Sequence, residues 1–176
     1  IGVQKMIRKN AIIRKLPAVE TLGCATYICS DKTGTLTQNE MTVRQIFCED
    51  RLYHVSGEGY EPKGHIEHHG KAIDYRQNKA LGLLFKTCAL CSNANLQKQK
   101  MQRKSLLKQK ENKYWEIIGD PTEGALVVLA AKAGLWRKEI EGTESRIREI
   151  PFDSDRKRMS VVYQDRQNLK IVYTKG

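Results

Sequence analysis

The sequence predicts an α+β protein in which helices flank an antiparallel sheet. Short strand-like segments pair across tight polar turns, and stretches of clear helical periodicity lie between them. Internal repeats, which would indicate a solenoid, are absent. The 176 residues, 40% of them hydrophobic, suffice for one ordinary domain or for one domain plus part of another.

The N-terminal region predicts a helix, a strand and a loop. Residues 3–16 place apolar side chains at an approximately helical spacing among cationic ones, and Pro17 is expected to end that helix. Residues 25–29 are a short apolar run, which predicts a buried strand. The strand would open at its carboxyl end onto a polar, glycine-containing loop, and a domain boundary is expected near residues 38–42.

The remaining three quarters of the chain predict the α+β module itself. The capping motif Asp120-Pro-Thr-Glu predicts a helix start, with Asp120 as the cap and Glu123 placed as in a capping box, and Gly134 is expected to end that helix. The other expected elements are a hairpin of residues 41–48 and 51–55, a helix over residues 73–95, and strands at 146–150, 160–163 and 169–173.

The charge distribution is uneven. The net charge is +11, and residues 97–113 alone carry seven basic side chains against one acidic one, a balance of 7 − 1 = +6. This run predicts a solvated insert, either disordered or a mobile loop. A basic helix for an acidic partner or anionic headgroups is one alternative. Nucleic-acid binding is a weaker one, because no aromatic residues are interleaved for base stacking.

The five cysteines favour reduced thiols in a cytosolic setting, because their number is odd and nothing marks an oxidising compartment. Cys88 and Cys91 form a Cys-x-x-Cys pair on the predicted helix. They are interpreted as core thiols, since a metal site would need two more ligands. No secretory leader is visible and the chain opens on Ile1, so we expect a segment of a longer protein.

The chemistry of the chain centres on residues 31–37, Asp-Lys-Thr-Gly-Thr-Leu-Thr. A carboxylate can attack a phosphoryl group and hold it as an aspartyl phosphate, so Asp31 is the expected nucleophile. Lys32 would supply positive charge, and Gly34 would let backbone N–H groups and threonine hydroxyls face phosphate oxygens. A plain surface turn would account for a shorter match, but all seven residues together should occur by chance at roughly one position in a billion.

This heptapeptide resembles the phosphorylation signature of the P-type ATPases, and the turn at residues 57–62 is similar to the calcium-pump branch. The resemblance implies three regions. Residues 1–23 would be a stalk helix and connector, and residues 24–40 the first strand and phosphorylation loop of a Rossmann-like P domain of the haloacid-dehalogenase (HAD) type. Residues 41–176 would be the nucleotide-binding N domain, incomplete at its C-terminus.

The resemblance also implies a nucleotide site. Phe152-x-Ser-x-x-Lys157-x-Met159 is similar to the family's nucleotide motif, in which the ring stacks on adenine, the lysine helps to bind the nucleotide and the methionine lines the pocket. Without that resemblance Phe152 would more simply be a core residue. The position of Glu123 would lie by the adenine, and Lys175 deep in the pocket. Some relatives carry arginine where Ser154 stands, so a guanidinium contact would be missing.

The implied cofactors are ATP and Mg²⁺, with Asp31 and the Thr33 carbonyl as metal ligands and Asp31, Lys32 and Thr33 as the catalytic residues. The family's other acidic Mg²⁺ ligands belong to Thr-Gly-Asp and Gly-Asp-Gly motifs, neither of which occurs in these 176 residues. We therefore expect the isolated segment to be catalytically incompetent.

The implied function is the cytoplasmic ATP-binding and phospho-acceptor segment of a membrane-embedded cation pump, most simply for calcium. Its partners would be ATP, the transported cation, and the remaining P, A and transmembrane domains of its parent, with no nucleic acid. Open alternatives are a pump for Na⁺, K⁺, H⁺ or Mn²⁺, and a basic non-catalytic module for nucleic acid or acidic membranes. A soluble phosphatase of the HAD kind is disfavoured, because such enzymes favour a second aspartate where Thr33 stands.

Overall fold

The fold is described by a computed structural model that covers residues 2–101 and 112–176. The chain divides into two compact units, Ile1–Gln38 and Asn39–Gly176. Among the described residues, no helix combines the length and the apolar character that crossing a membrane requires.

The first unit contains two short helices, α1 (Gly2–Arg8) and α2 (Leu16–Gly23). The single helix predicted over residues 3–16 is therefore wrong in extent. Asn10 adopts a left-handed backbone (φ 62°), which ends the helical path after α1. Pro17 lies in the first turn of α2, where the backbone N–H that proline lacks has no helical partner in any case.

The buried strand predicted at residues 25–29 is not formed. Tyr27 and Ile28 are 90% and 85% exposed, and the backbone there is irregular. An apolar run becomes a strand only where neighbouring strands pair with its N–H and C=O groups, and within the described residues none pairs with it. The assignment of residues 24–40 to a P domain stays a prediction.

The second unit begins with a four-stranded antiparallel meander. The predicted hairpin is confirmed, although its first strand starts at Gln45 rather than residue 41. Glu49 and Asp50 form the two-residue turn with φ of 50° and 56°, the left-handed pair that suits the twist of a hairpin. The strands are β1 (Gln45–Cys48), β2 (Arg51–Val55), β3 (Ile66–His68) and β4 (Lys71–Ala72).

Helix α3 (Lys79–Leu90) is shorter than the predicted span of 73–95. Asn78 has an extended backbone, and its side chain accepts a hydrogen bond from Leu81 N–H at 3.0 Å, so the helix begins there as a capped end. A separate 3₁₀ turn occupies Tyr75–Gln77. The predicted buried face is confirmed by Leu81 and Phe85, which are fully buried.

The basic run does not form a loop throughout. Its two ends lie in a hairpin of β5 (Asn95–Met101) and β6 (Asn112–Ile118), while its centre falls outside the described residues. Lys98 lies over the ring of its cross-strand partner Trp115, at 5.4 Å from Nζ to the ring centroid. The Lys98 stem thus covers an aromatic side chain of the partner strand, so a polar residue is compatible with pairing here.

Helix α4 (Pro121–Lys132) begins and ends where predicted, but the expected capping box is not formed, because the Glu123 side chain accepts from Asn93, Ala94 and Lys175 instead. The Asp120 carboxylate accepts from the N–H groups of Thr122 (2.8 Å) and Glu123 (3.1 Å), and Gly134 takes φ 80° just past the helix end. A short helix α5 (Arg137–Ile140) follows, then the antiparallel strands β7 (Glu144–Asp153), β8 (Arg158–Asp165) and β9 (Lys170–Lys175).

One hydrophobic core joins these layers. Phe85 of α3 and Leu129 of α4 belong to a single buried cluster. The same cluster contains Tyr53 of β2 and two residues of β8, Val161 and Tyr163. The predicted α+β class with antiparallel pairing is confirmed, except that the strands of the described residues form three sheets rather than one.

Candidate functional site

A cavity of about 470 Å³ opens where the start of α4 meets the ends of β7 and β9 and the start of β8. The first two turns of α4 and the ends of three strands meet there, so the lining of the cavity comes from separate parts of the sequence. The lining residues are Asp120, Thr122, Glu123, Leu126, Phe152, Met159, Lys175 and Gly176. Four of the five residues predicted to bind nucleotide are therefore brought together in one cavity.

Phe152 stands at this cavity with 61% of its surface exposed. Ile150 pairs with Ser160 and Asp153 with Arg158, so two residues of β7, Pro151 and Phe152, oppose one residue of β8. Such a bulge bends a strand and re-aims a side chain, and it also accommodates a proline. The simple expectation of a buried phenylalanine is wrong here because the bulge turns the ring away from the core.

Met159, the single β8 residue opposite the bulge, is only 2% exposed and lines the cavity with apolar surface. It pairs in register with Lys175 of β9, which places a cation beside that surface. The Met159 carbonyl also accepts a hydrogen bond from the thiol of Cys91 at 3.7 Å. An exposed ring, an apolar wall and a lysine thus lie around the same space.

Glu123 and Lys175 form an ion pair at 2.6 Å inside the cavity, with side chains 18% and 22% exposed. The second carboxylate oxygen of Glu123 accepts from the backbone N–H groups of Asn93 (2.6 Å) and Ala94 (3.1 Å). Burial raises the pKa of Glu123, but the Lys175 ammonium and the two N–H donors outweigh it and hold that pKa below its ordinary value. Glu123 is therefore a carboxylate that fixes the position of Lys175.

Asp120 occupies the N-terminal end of α4 at the mouth of the cavity. Hydrogen bonds from the Glu123 and Thr122 N–H groups lower the pKa of Asp120, against a smaller opposing effect of burial. Because Asp120 already accepts from the helix N-terminus, a ligand anion would meet Lys175 rather than free helix N–H groups.

Lys157 is not among the residues that line the cavity. It lies in the turn between β7 and β8, where its N–H donates to the Asp153 carbonyl at 2.8 Å and its backbone takes φ 54°. The Lys157 carbonyl approaches Gly176 so closely that a Cβ there would lie 2.3 Å from it. The turn thus borders the site through its backbone, and the role of the Lys157 side chain stays a prediction.

The loop around Asp31 belongs to the first unit and forms a compact exposed turn. The Leu36 and Thr37 N–H groups donate to the Lys32 carbonyl at 3.0 and 3.1 Å, and Gly34 takes φ 73°, which favours glycine. The Lys32 N–H donates to an Asp31 carboxylate oxygen at 2.7 Å. Asp31 thus immediately precedes the turn, and its side chain is exposed.

The oxygen donors of this loop suit Mg²⁺. Asp31 offers an exposed carboxylate. The hydrogen bonds that close the turn end on the Lys32 carbonyl, so they do not occupy the Thr33 carbonyl, the second expected ligand. Mg²⁺ prefers such hard oxygen ligands and usually keeps several waters in addition to one or two carboxylates. Across residues 2–101 and 112–176, no group of three or more His, Cys, Asp or Glu side chains is arranged to hold a metal ion, so the loop alone supplies only part of a shell.

The thiols of the Cys-x-x-Cys pair both lie in the core. Burial is the largest effect on each; it raises the pKa of Cys88 to about 12 and also raises that of Cys91. Neutral, buried thiols are poor metal ligands and poor nucleophiles, because both roles require the thiolate. Their position supports the interpretation as core side chains.

The sequence did not indicate the N–H groups of Asn93 and Ala94, which hold Glu123. Backbone donors carry no side-chain signature, so only the three-dimensional path of the segment after α3 reveals them. Leu126 was also missed, although its position on the second turn of a capped helix was a usable signal.

Comparison with known proteins gives the family. The profile described as "P-type ATPase, cytoplasmic domain N" matches residues 80–176, more than half of the chain. This chain belongs to the P-type ATPases. The predicted resemblance is thereby confirmed, and the cavity lies within the matched part of this P-type ATPase chain.

Full-length relatives agree with the profile. Over the whole of this P-type ATPase chain, identity is 43% to the calcium-transporting ATPase of Bacillus subtilis and 40% to the cation-transporting ATPase pma1 of Synechocystis. It is 38% to the human calcium-transporting ATPase type 2C member 1. The chain spans 18% of the length of each of these relatives. Its likeness to the calcium-pump branch is confirmed.

Proposed function

We propose that this chain is the ATP-binding and phospho-acceptor segment of a cation pump, in which ATP hydrolysis through an aspartyl phosphate drives transport. The observation that carries the proposal is the cavity in which Phe152, Met159, Glu123 and Lys175 meet. Family membership supports ATP and Mg²⁺ as the groups this chain handles.

ATP suits the cavity in size and chemistry. The cavity volume of about 470 Å³ falls in the range of small-molecule sites. The exposed face of Phe152 offers a platform for a base, and the Met159 wall is apolar. Lys175 supplies the cation for the anionic part of the ligand, at a position set by Glu123.

Asp31 is the proposed acceptor. One of its carboxylate oxygens forms a bond to the γ-phosphorus, the bond from that phosphorus to the bridging oxygen of ADP breaks, and ADP leaves with the electron pair. Water then hydrolyses the acyl phosphate. The Lys32 ammonium offsets negative charge. The Thr33 and Thr35 hydroxyls are proposed to face phosphate oxygens, because the Lys32, Gly34, Leu36 and Thr37 N–H groups donate within the loop.

Mg²⁺, when bound, would neutralise and orient the phosphates. Asp31 and the Thr33 carbonyl are its proposed ligands in this chain. Because these are two oxygen donors, the remaining acidic ligands are proposed to come from other parts of the parent protein.

Calcium is the proposed cation, because the Bacillus subtilis and human relatives are calcium-transporting ATPases. The relative from Synechocystis is a cation-transporting ATPase without a stated ion, which keeps other cations open. Ion-dependent ATP hydrolysis by the full-length parent decides the question. Stimulation by Ca²⁺ supports the proposal, and stimulation by Na⁺, K⁺, H⁺ or Mn²⁺ alone contradicts it.

The nucleotide part is tested by displacing trinitrophenyl-ATP from the 176-residue chain with ATP, followed by fluorescence. Displacement that is lost in a Lys175→Met variant supports the site. Salt-sensitive retention of RNA, with no nucleotide binding, would instead identify a basic binding module.

A further inference from the structure

Arg137, the first residue of α5, contacts the segment that follows α3. Its guanidinium donates to the carbonyls of Ala89 (2.9 Å), Ser92 (2.6 Å) and Ala94 (3.3 Å). Ala89, Ser92 and Ala94 are all at most 2% exposed, so water does not replace these bonds. One side chain therefore holds the end of α3 together with Ser92 and Ala94 in the segment that follows it.

The other side of the same segment holds Glu123. The Ser92 carbonyl and the Asn93 N–H belong to one peptide unit, which is planar and trans, so they point in opposite directions. Arg137 binds the oxygen of this unit, and Glu123 accepts from its N–H at 2.6 Å. Fixing the oxygen therefore fixes the direction of the N–H.

The bonds continue into the cavity. Glu123 accepts from Asn93 and Ala94 with one oxygen and pairs with Lys175 through the other. Arg137 does not line this cavity. A continuous series of hydrogen bonds nevertheless joins it to Lys175, and each donor in the series polarises the next acceptor.

We infer that Arg137 is a positioning residue of the nucleotide site, which orients the Asn93 N–H towards Glu123 and so sets the place of the Lys175 ammonium. The inference rests on the proposed function of the cavity. Arginine suits the role because its planar fork reaches several acceptors at once, which a lysine ammonium does not reproduce.

The experiment compares ATP affinity of the 176-residue chain with that of Arg137→Gln and Arg137→Lys. We expect the glutamine variant to bind ATP about five- to tenfold more weakly, which corresponds to the loss of one to two hydrogen bonds. The ATP affinity of the lysine variant should lie between those of the glutamine variant and the unmodified chain. The matched control is Arg166→Gln, since Arg166 also donates to a backbone carbonyl, that of Gly142, away from the cavity. Its affinity should equal that of the unmodified chain.

A double-mutant cycle separates positioning from a general effect on the fold. In a Glu123→Gln background, Arg137→Gln should change ATP affinity by less than about twofold, because the series is already interrupted. An equal loss in both backgrounds overturns the inference. Unchanged ATP affinity in both Arg137 variants overturns it too, as does loss of native folding in both, because Arg137 would then act on the whole unit.

Amide hydrogen exchange gives a readout that does not need nucleotide. The Asn93 and Ala94 N–H groups should exchange faster in Arg137→Lys than in the unmodified chain, while Val161 in the core stays protected. Unchanged exchange at Asn93 overturns the inference. If the unmodified chain fails to bind ATP, the proposed function fails, and the exchange result still decides whether Arg137 orients this segment.

Discussion

Replacing Phe152 by alanine should weaken ATP binding with little effect on the fold. The ring stands on a β-bulge and is 61% exposed, so its removal leaves no core cavity. Surface substitutions of this kind change the free energy of unfolding by about 0.5 kcal/mol or less. A large loss of affinity would therefore come from the ligand contact itself.

The magnitude follows from stacking. One base on one aromatic ring contributes about 1–3 kcal/mol by alanine substitution. At 25 °C this corresponds to a dissociation constant for ATP that is about 5- to 150-fold higher in Phe152→Ala. Phe152→Tyr, which keeps the aromatic face, should restore most of the affinity.

Calorimetric titration of ATP into the 176-residue chain measures this change, with unfolding in urea as the check on stability. Phe47→Ala is the matched control, because Phe47 is also a strand phenylalanine, is 70% exposed and does not line the cavity. The reasoning is refuted if Phe152→Ala binds ATP as tightly as the unmodified chain, or if Phe47→Ala loses as much affinity.

Three further predictions concern charge, packing and catalysis. The Glu123 carboxylate has a pKa below its ordinary 4.5, so its contribution to stability is present above that pH and is lost as the pH falls through the lowered value. Glu123→Gln should thus lower the free energy of unfolding by about 1 kcal/mol at neutral pH and by less in acid, as urea titrations at both pH values would report. Gly124→Ala should destabilise the chain by about 1–3 kcal/mol, because its Cβ would lie 2.7 Å from the side chain of Ile117. Gly82 lies on α3, and a Cβ there would meet nothing within 4 Å. Gly82→Ala should therefore increase the free energy of unfolding by about 0.5–1 kcal/mol and raise the melting temperature. When the isolated chain is incubated with γ-labelled ATP and Mg²⁺, we expect no labelled phosphate on Asp31. Label found at Asp31 by peptide mapping would refute the expectation that the isolated chain is catalytically incompetent.

Local signals predicted much of the second unit. The Asp120 cap and the Glu49-Asp50 turn depend on residues within a few positions of one another, so their sequence is sufficient to specify them. The same holds for strands β7 to β9, whose central residues were predicted from short strand-like runs beside polar turns. Family resemblance then indicated Phe152 and Lys175, which lie 23 positions apart and reach one cavity because β8 pairs with both β7 and β9.

Features that depend on tertiary partners were not predictable in the same way. Residues 25–29 have the composition of a strand, but pairing and not composition decides whether a strand forms. The bulge that exposes Phe152 arises from the register between β7 and β8. The Arg137 contacts end on backbone carbonyls, which every residue carries, so no residue type marks their targets.

The most direct test of the proposed nucleotide site is an NMR measurement of the 176-residue chain with ATP. We expect intermolecular nuclear Overhauser effects between the adenine protons and the ring of Phe152, together with shifts at the Met159 methyl group. Adenine contacts confined to residues outside the cavity, for example to Trp115 on β6, would contradict the account.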